Sequence, residues 1–269
     1  MFGWDAMSAD TRQAFRYNWK YRAFWDGISR RVTVEYEDPV SGGLPRDLSS
    51  TLLELGFKAC DLIARSDRFL AEAVRKRPKE AQVLAFLTEL GSLIALLKKW
   101  HLAWTKTSPP RPRQKIVSAR YFGNFRGISK EFFGVFPTAS DFSHTAHERD
   151  YRILHICLLN LDEAIIDIHA AFPDYCTSAE MRLQLRTAEY DAATCAAELC
   201  MVVPWSSQPS NGAFACIHAM QPLQYASRYY RKHGKRLQLE WCQRVTETLS
   251  EKYGIRVKLW EDNDAFVTC

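Results

Sequence analysis

EAQVLAFLTELGSLIALLKKWHLAW, residues 80–104, carries Val83, Leu84, Leu87, Leu90, Ile94, Leu97 and His101 at intervals of three and four. That period puts them on one face of an α-helix, and the segment is too long for a strand. Lys98 and Lys99 stand near its end, where cations meet the negative end of the helix dipole, and Pro109 and Pro110 follow. The same pattern recurs outward in both directions. Upstream, Ser49 starts a helix whose apolar face is Leu52, Leu53, Leu55, Phe57, Cys60, Leu62 and Ile63. A second short helix runs to about Lys76, and Pro78 punctuates. Before that, Ser8 caps a helix over residues 8–28 with Phe15, Trp19, Phe24 and Trp25 at helical spacings and Gly27 as its end. Residues 31–37 alternate like a strand but have no visible partner, and read as an extended loop before the Pro39–Pro45 break.

Downstream, residues 105–143 read as a linker rich in Pro, Gly, Arg and aromatics. His144 to Phe172 is one long helix or two joined ones. Thr177 or Ser178 caps the next helix, which stops at Pro204. Asn211 caps a helix over residues 212–233, with Pro222 inside it and Gly234 at its end. Lys235 to Tyr253 is the last, with Gly254 as its cap. The expected fold is all-α, an irregular antiparallel helical domain of about seven to ten helices. Residues 1–105, the basic segment 106–143 and residues 144–269 form its three parts, integrated into one domain.

The chain has 269 residues, 47% of them hydrophobic and 25% charged, with 12 Gly and 11 Pro. That length supports a core without disulfides or a structural metal, and that composition excludes a disordered or collagen-like chain. Turn residues are too sparse for a β-sandwich. Residues 1–10 hold two acids and no apolar run, so they do not read as a signal peptide. The apolar stretch 153–168 is interrupted by His155, Asn160, Asp162, Glu163 and Asp167, so no membrane span is expected there. Eight cysteines without a secretory context are expected as free, mostly buried thiols of a reducing compartment, nucleus or cytoplasm.

The formal net charge of +5 is unevenly spread, since residues 1–135 hold 23 Lys+Arg against 14 Asp+Glu. One concentration is Arg75-Lys76-Arg77-Pro78-Lys79, which reads either as a nuclear-localisation patch or as a solvated helix end. The other is the acid-free run of seven bases from Lys106 to Lys130, interleaved with Tyr121, Phe122 and Phe125. It reads as a solvated linker, with polyanion contact as the alternative.

Chemistry-bearing motifs are few. GxSxG, GxxxxGK[ST] and GxGxxG do not occur, so no catalytic residue and no cofactor site is assigned. His144 and His147 share a helix face with His155 two turns on. They are weak metal-ligand candidates without an HExxH or CxxC companion, and surface histidines are the competing reading. Cys195 and Cys200, five apart, do not share a face, and Asp162-Glu163 point in different directions and read as solvated charges. Eight tryptophans leave room for an aromatic-lined pocket, with Trp205 and Trp241 as its candidates. Core packing is the competing reading.

The order of several phrases carries a resemblance. Phe136-Pro137-Thr138-Ala139-Ser140-Asp141-Phe142 precedes the helix from Tyr151 to Leu161. The segments 196–204, Gly212-Ala213-Phe214 and Met220-Gln221-Pro222-Leu223-Gln224-Tyr225-Ala226 then follow in turn. Leu239 to Val245 lies in the last helix, and Tyr253-Gly254-Ile255-Arg256 closes the series. Over residues 130–260 this resembles the C-terminal regulatory region of fungal zinc-cluster transcription factors. The resemblance implies an all-helical regulatory domain that receives effectors or partners and controls a metabolic or secondary-metabolite gene cluster. Family members carry a six-cysteine zinc cluster. Here the first cysteine is Cys60 and no two stand in CxxC spacing, so direct DNA binding by that module is not expected. The expected function is transcription regulation in the nucleus through a partner factor, a second copy or a small apolar effector. The alternative is an enzyme or ligand-binding protein of specialised metabolism on the same fold.

Overall fold

The computed structural model describes residues 9–34, 47–107, 111–115, 134–208 and 215–253. Among them are seven α-helices: α1 (Ala9–Arg30), α2 (Leu48–Ala73), α3 (Glu80–Thr107), α4 (Thr145–Ala171), α5 (Ala179–Ser206), α6 (Ala215–Lys232) and α7 (Arg236–Tyr253). A two-stranded ribbon of β1 (Arg111–Lys115) and β2 (Thr138–Asp141) interrupts the helices. The fold is all-α, with a helix count at the low end of the expected range.

Several helix ends follow the local chemistry of the sequence. Asp47, not Ser49, caps α2: its carboxylate accepts from the Ser50 backbone N–H at 2.7 Å. Ser178 caps α5 by accepting from the Met181 N–H at 3.1 Å. Gly234 closes α6 at φ 64°, with Lys235 N–H reaching back to the Tyr230 carbonyl at 2.8 Å. This left-handed closure is the one glycine adopts without a Cβ penalty. Asn211 and Gly254 lie outside the described residues.

Other boundaries depart from expectation. Helix α2 is one continuous element through Ala73 rather than two. Gly27 does not end α1, which continues to Arg30. A Cβ on Gly27 would overlap the Val34 side chain and come 3.2 Å from Cys60 Sγ, so this glycine serves the close approach of α1 to α2. The closing residue is Arg31, at φ 52°. It occupies a position glycine usually takes, with Val32 N–H bonded to the Gly27 carbonyl at 3.1 Å. Pro204 does not stop α5, which extends to Ser206. The proline forfeits one N–H only a residue or two from the terminus, where the ladder is ending anyway.

The segment 106–143 is not wholly a linker. Residues 106–107 complete α3, and its ends pair as an antiparallel ribbon in the register Gln114↔Ala139 and Lys115↔Thr138. Arg120, Arg126, Lys130 and the aromatics Tyr121, Phe122 and Phe125 lie outside the described residues. Strand β2 packs on α5. The flanking Phe136 and Phe142 are buried, with ring centroids 4.9 Å from Trp241 and 5.5 Å from Trp205 respectively.

Helix α4 is the axis of the fold. It packs against α5, α2, α3 and, more lightly, α6. Every residue from Asp150 to Ile165 is buried, so this helix has no solvent face over that span. Helix α3 is long and apolar enough to cross a membrane, with a mean hydropathy of 1.5 over its best 18 residues. Here its Val83, Leu87, Leu90, Ile94, Leu97, Trp100 and Trp104 are buried while Thr88, Glu89, Ser92, Lys98 and Lys99 face outward. One apolar cluster runs from Tyr21 to Leu249, so all three sequence-defined parts share a core.

Candidate functional site

Because α4 is enclosed, its polar side chains had to find partners on neighbouring helices. Buried polar groups cost free energy unless they are hydrogen-bonded, and buried charges cost more unless they are paired. Within α4 itself, and towards α1, α6 and the end of α5, the partners are present. The Arg152 guanidinium lies 3.0 Å from Glu148 Oε1, both side chains nearly inaccessible. It also donates to Gln221 Oε1 and lies over the Trp25 ring. Ser206 Oγ donates to the same Glu148 oxygen at 2.8 Å.

Just over two turns on from Arg152, Asn160 and Glu163 continue this face. Asn160 Oδ1 accepts from Arg228 at 2.6 Å and from Arg31 at 3.3 Å. Glu163 meets Arg228 at 3.1 Å and Lys232 at 3.4 Å. Burial pushes the Glu163 carboxyl up, but Arg228, Lys232 and Arg31 outweigh it and hold the group below its ordinary value. Arg31 also grips Asp67 through two bonds of 2.6 and 2.7 Å, the contacts that go with its left-handed backbone.

At Asp162, which faces the middle of α3 and the first half of α5, the picture changes. A cavity of about 390 Å³ opens between α3, α4 and α5. Ile94, Ile165, Met181, Leu183 and Ala188 form its apolar walls, and Lys98, Asp162, Glu180, Gln184 and Asp191 supply its polar atoms. Asp162 is 2% exposed, and its Oδ2 has no hydrogen-bond partner among the described residues. Burial raises its pKa to about 8; Asp191 adds to the shift and Lys98 offsets part of it. Lys98 itself is held by Asp191, Nζ to Oδ2 at 2.5 Å. The cationic group nearest this carboxyl is therefore already engaged.

The sequence-derived candidates are dispersed. Trp205 and Trp241 are 5% and 2% exposed, pack on Phe142 and Phe136, and do not line this cavity. His144 and His147 are neighbours at 5.1 Å between ring centroids, and Ser143 Oγ meets His147 Nδ1 at 2.8 Å. His155 is buried just over two turns beyond His147, its Nδ1 at 2.8 Å from the Tyr151 carbonyl and its ring 5.9 Å from that of His101. Among the described residues, no group of three or more His, Cys, Asp or Glu is disposed to hold a metal ion. In the same region Tyr151 Oη donates to Glu198 Oε2 at 2.7 Å, and burial lowers the pKa of His101.

Cys60, Cys157, Cys176, Cys195, Cys200 and Cys242 are all buried and free. Cys200 and Cys242, from α5 and α7, bring their sulfurs to 3.7 Å, a contact that sequence spacing did not reveal. Burial pushes the Cys200 thiol well up, with the Cys242 contact adding to it, which opposes thiolate chemistry.

Arg75, Lys76, Arg77 and Lys79 occupy the turn between α2 and α3, and all four are exposed. Arg77 pairs with Asp174 at 2.8 Å and lies over the Tyr175 ring at 4.9 Å. The other three side chains form no ion pair among the described residues. The turn therefore displays a compact cationic surface.

Sequence reasoning missed the Asp162 cavity because adjacent acids on a helix read as solvated charges. Asp162 and Glu163 do face different ways, but both are buried. The overlooked signal was an acid in a helix whose apolar residues lie on every face. No protein-family model matches the chain, and no curated protein and no solved structure matches it either.

Proposed function

We propose that this protein is a nuclear regulator of transcription; the 269 residues themselves carry no zinc-cluster motif. It acts through a partner factor, a second copy or a small effector, and it governs a metabolic or secondary-metabolite gene cluster. The observation that carries the reading is the exposed cationic turn formed by Arg75, Lys76, Arg77 and Lys79. Clustered bases on an accessible turn suit recognition by an acidic import receptor. The phrase order over residues 130–260 adds to it, as does the all-α fold that such regulatory regions share.

The test is localisation of a fluorescent fusion of the full chain. The wild-type fusion concentrates in the nucleus, and the fusion with Arg75, Lys76, Arg77 and Lys79 all changed to Ala spreads to the cytoplasm. Equal nuclear signal from the two fusions rejects the role of the turn. The α3–α5 cavity favours a second reading, a ligand-binding protein of specialised metabolism. Deleting the gene separates the two. A block fall in neighbouring transcripts marks a regulator, whereas steady transcripts with one accumulating intermediate mark a protein of the pathway itself.

A further inference from the structure

We propose that the cavity between α3, α4 and α5 binds a small organic cation, an amine with an apolar body, through the Asp162 carboxyl. Three observations converge on this class. Asp162 lines the cavity, is 2% exposed and has an oxygen without a partner among the described residues, so a hydrogen-bond partner is missing from the site. The walls beside it, Ile94, Ile165 and Met181, suit an alkyl or aromatic body. The ionisable side chains lining the cavity are acidic apart from Lys98, and Lys98 is bound by Asp191 at 2.5 Å. An entering ammonium thus meets a carboxyl that, once ionised, has no free counter-ion among the described residues. A carboxylate ligand would find a base already engaged and would meet three acids.

The groups acting on Asp162 set the pH behaviour. Lys98 faces it from α3, and Asp191 and the Cys195 thiol face it from α5. In the free protein its carboxyl keeps its proton up to about pH 8. Binding a cation favours the ionised form, so below that pH the ligand displaces a proton. The reaction is proton release from Asp162 matched by uptake of the ammonium charge, with no covalent bond formed. Affinity therefore climbs with pH up to about 8 and flattens above it, while an alkylamine remains protonated.

If the chain is the regulator proposed above, this cavity is where its effector sits. The site itself stands on its geometry and is tested with purified protein, apart from localisation. The full chain is titrated calorimetrically with hexylammonium chloride and with hexanol, its uncharged counterpart, between pH 6 and pH 9. Hexylammonium is expected to bind at least tenfold more tightly than hexanol at pH 8.5. Below pH 7.5 its affinity should fall about tenfold per pH unit. Asp162→Asn should abolish the preference and the pH dependence, keeping the side chain's shape without its charge. Thr187→Trp, an exposed rim position, should block both ligands with Asp162 intact. Equal binding of amine and alcohol, a flat pH profile or an undiminished preference in Asp162→Asn overturns the proposal. So does no binding of either ligand to the wild type, which would leave water as the occupant.

Discussion

Asp162 and Glu163 adjoin in α4 and are withdrawn from water to nearly the same degree, 2% and 3% exposed, yet their electrostatic settings are opposite. Glu163 faces Arg228 and Lys232 of α6, with Arg31 beyond them, and stays charged below its ordinary range. Asp162 faces the α3–α5 cavity, where Lys98, the one nearby cation among the described residues, is bound to Asp191, and its pKa rises to about 8. Burial acts against both charges. What separates them is whether a helix packed on that side delivers a free counter-charge. One side of α4 is a closed ion-paired interface, and the other is an incomplete one. Incomplete polar satisfaction inside a fold is costly, and it is where a ligand has most to gain.

The comparison breaks most sharply on the paired side. Arg152→Ala removes the buried partner of Glu148 and leaves a carboxylate with no cation in a dry environment. The expected loss is about 3–5 kcal/mol of unfolding free energy, checked by urea denaturation. Arg152→Met in a background of Glu148→Gln should cost much less, since it leaves no buried charge behind.

Asp162 gives the next effect, and its sign is the reverse. An acid whose folded pKa is raised binds its proton in the native state over a range where the unfolded chain has lost it. Its contribution to stability therefore falls as pH rises from about 4 to about 8, then levels. Asp162→Asn should match the wild type near pH 4 and exceed it at pH 8.5, by a gain on the order of a few kcal/mol. Parallel urea midpoints for the two proteins across that range would dismiss the unpaired carboxyl.

Glu163→Gln should be milder, on the order of 1–2 kcal/mol at neutral pH, because Arg228 and Lys232 are partly solvated and can be rehydrated. The carboxyl of Glu163 has a depressed folded pKa, so its contribution is present above the ordinary carboxylate range and disappears as pH falls through the folded value. The wild type should therefore lose stability in acid more steeply than Glu163→Gln. Thermal melts between pH 2 and pH 6 check the difference in slope.

Much of the secondary structure was legible in the residues. Apolar positions at three- and four-residue spacing foretold α3, the Ser178 cap and the Gly234 closure stand where their chemistry placed them, and the all-α class follows from them. The misplaced boundaries have a common cause. Gly27 and Pro204 are helix breakers by intrinsic preference, but α1 needs a Cβ-free approach to α2 at Gly27, and Pro204 falls where α5 is already ending. Tertiary packing outweighs propensities of this size. The candidate site was far less legible. Trp205 and Trp241 were chosen for their type and lie in the core, whereas the groups that shape the cavity are an acid, a lysine and several aliphatics of ordinary kind.

The sequence by itself determined which segments coil, where most of them begin and end, and that a basic cluster sits at the turn after α2. These are properties of a few neighbouring residues, because helical hydrogen bonds and caps close over three or four positions. Only the tertiary structure decided that α4 is buried on every side, that Glu163 meets Arg228 across 65 residues, and that Asp162 meets an open cavity instead. A carboxyl's proton affinity depends on the charges and the dielectric within a few ångströms, and distant stretches of chain supply both once the helices have packed.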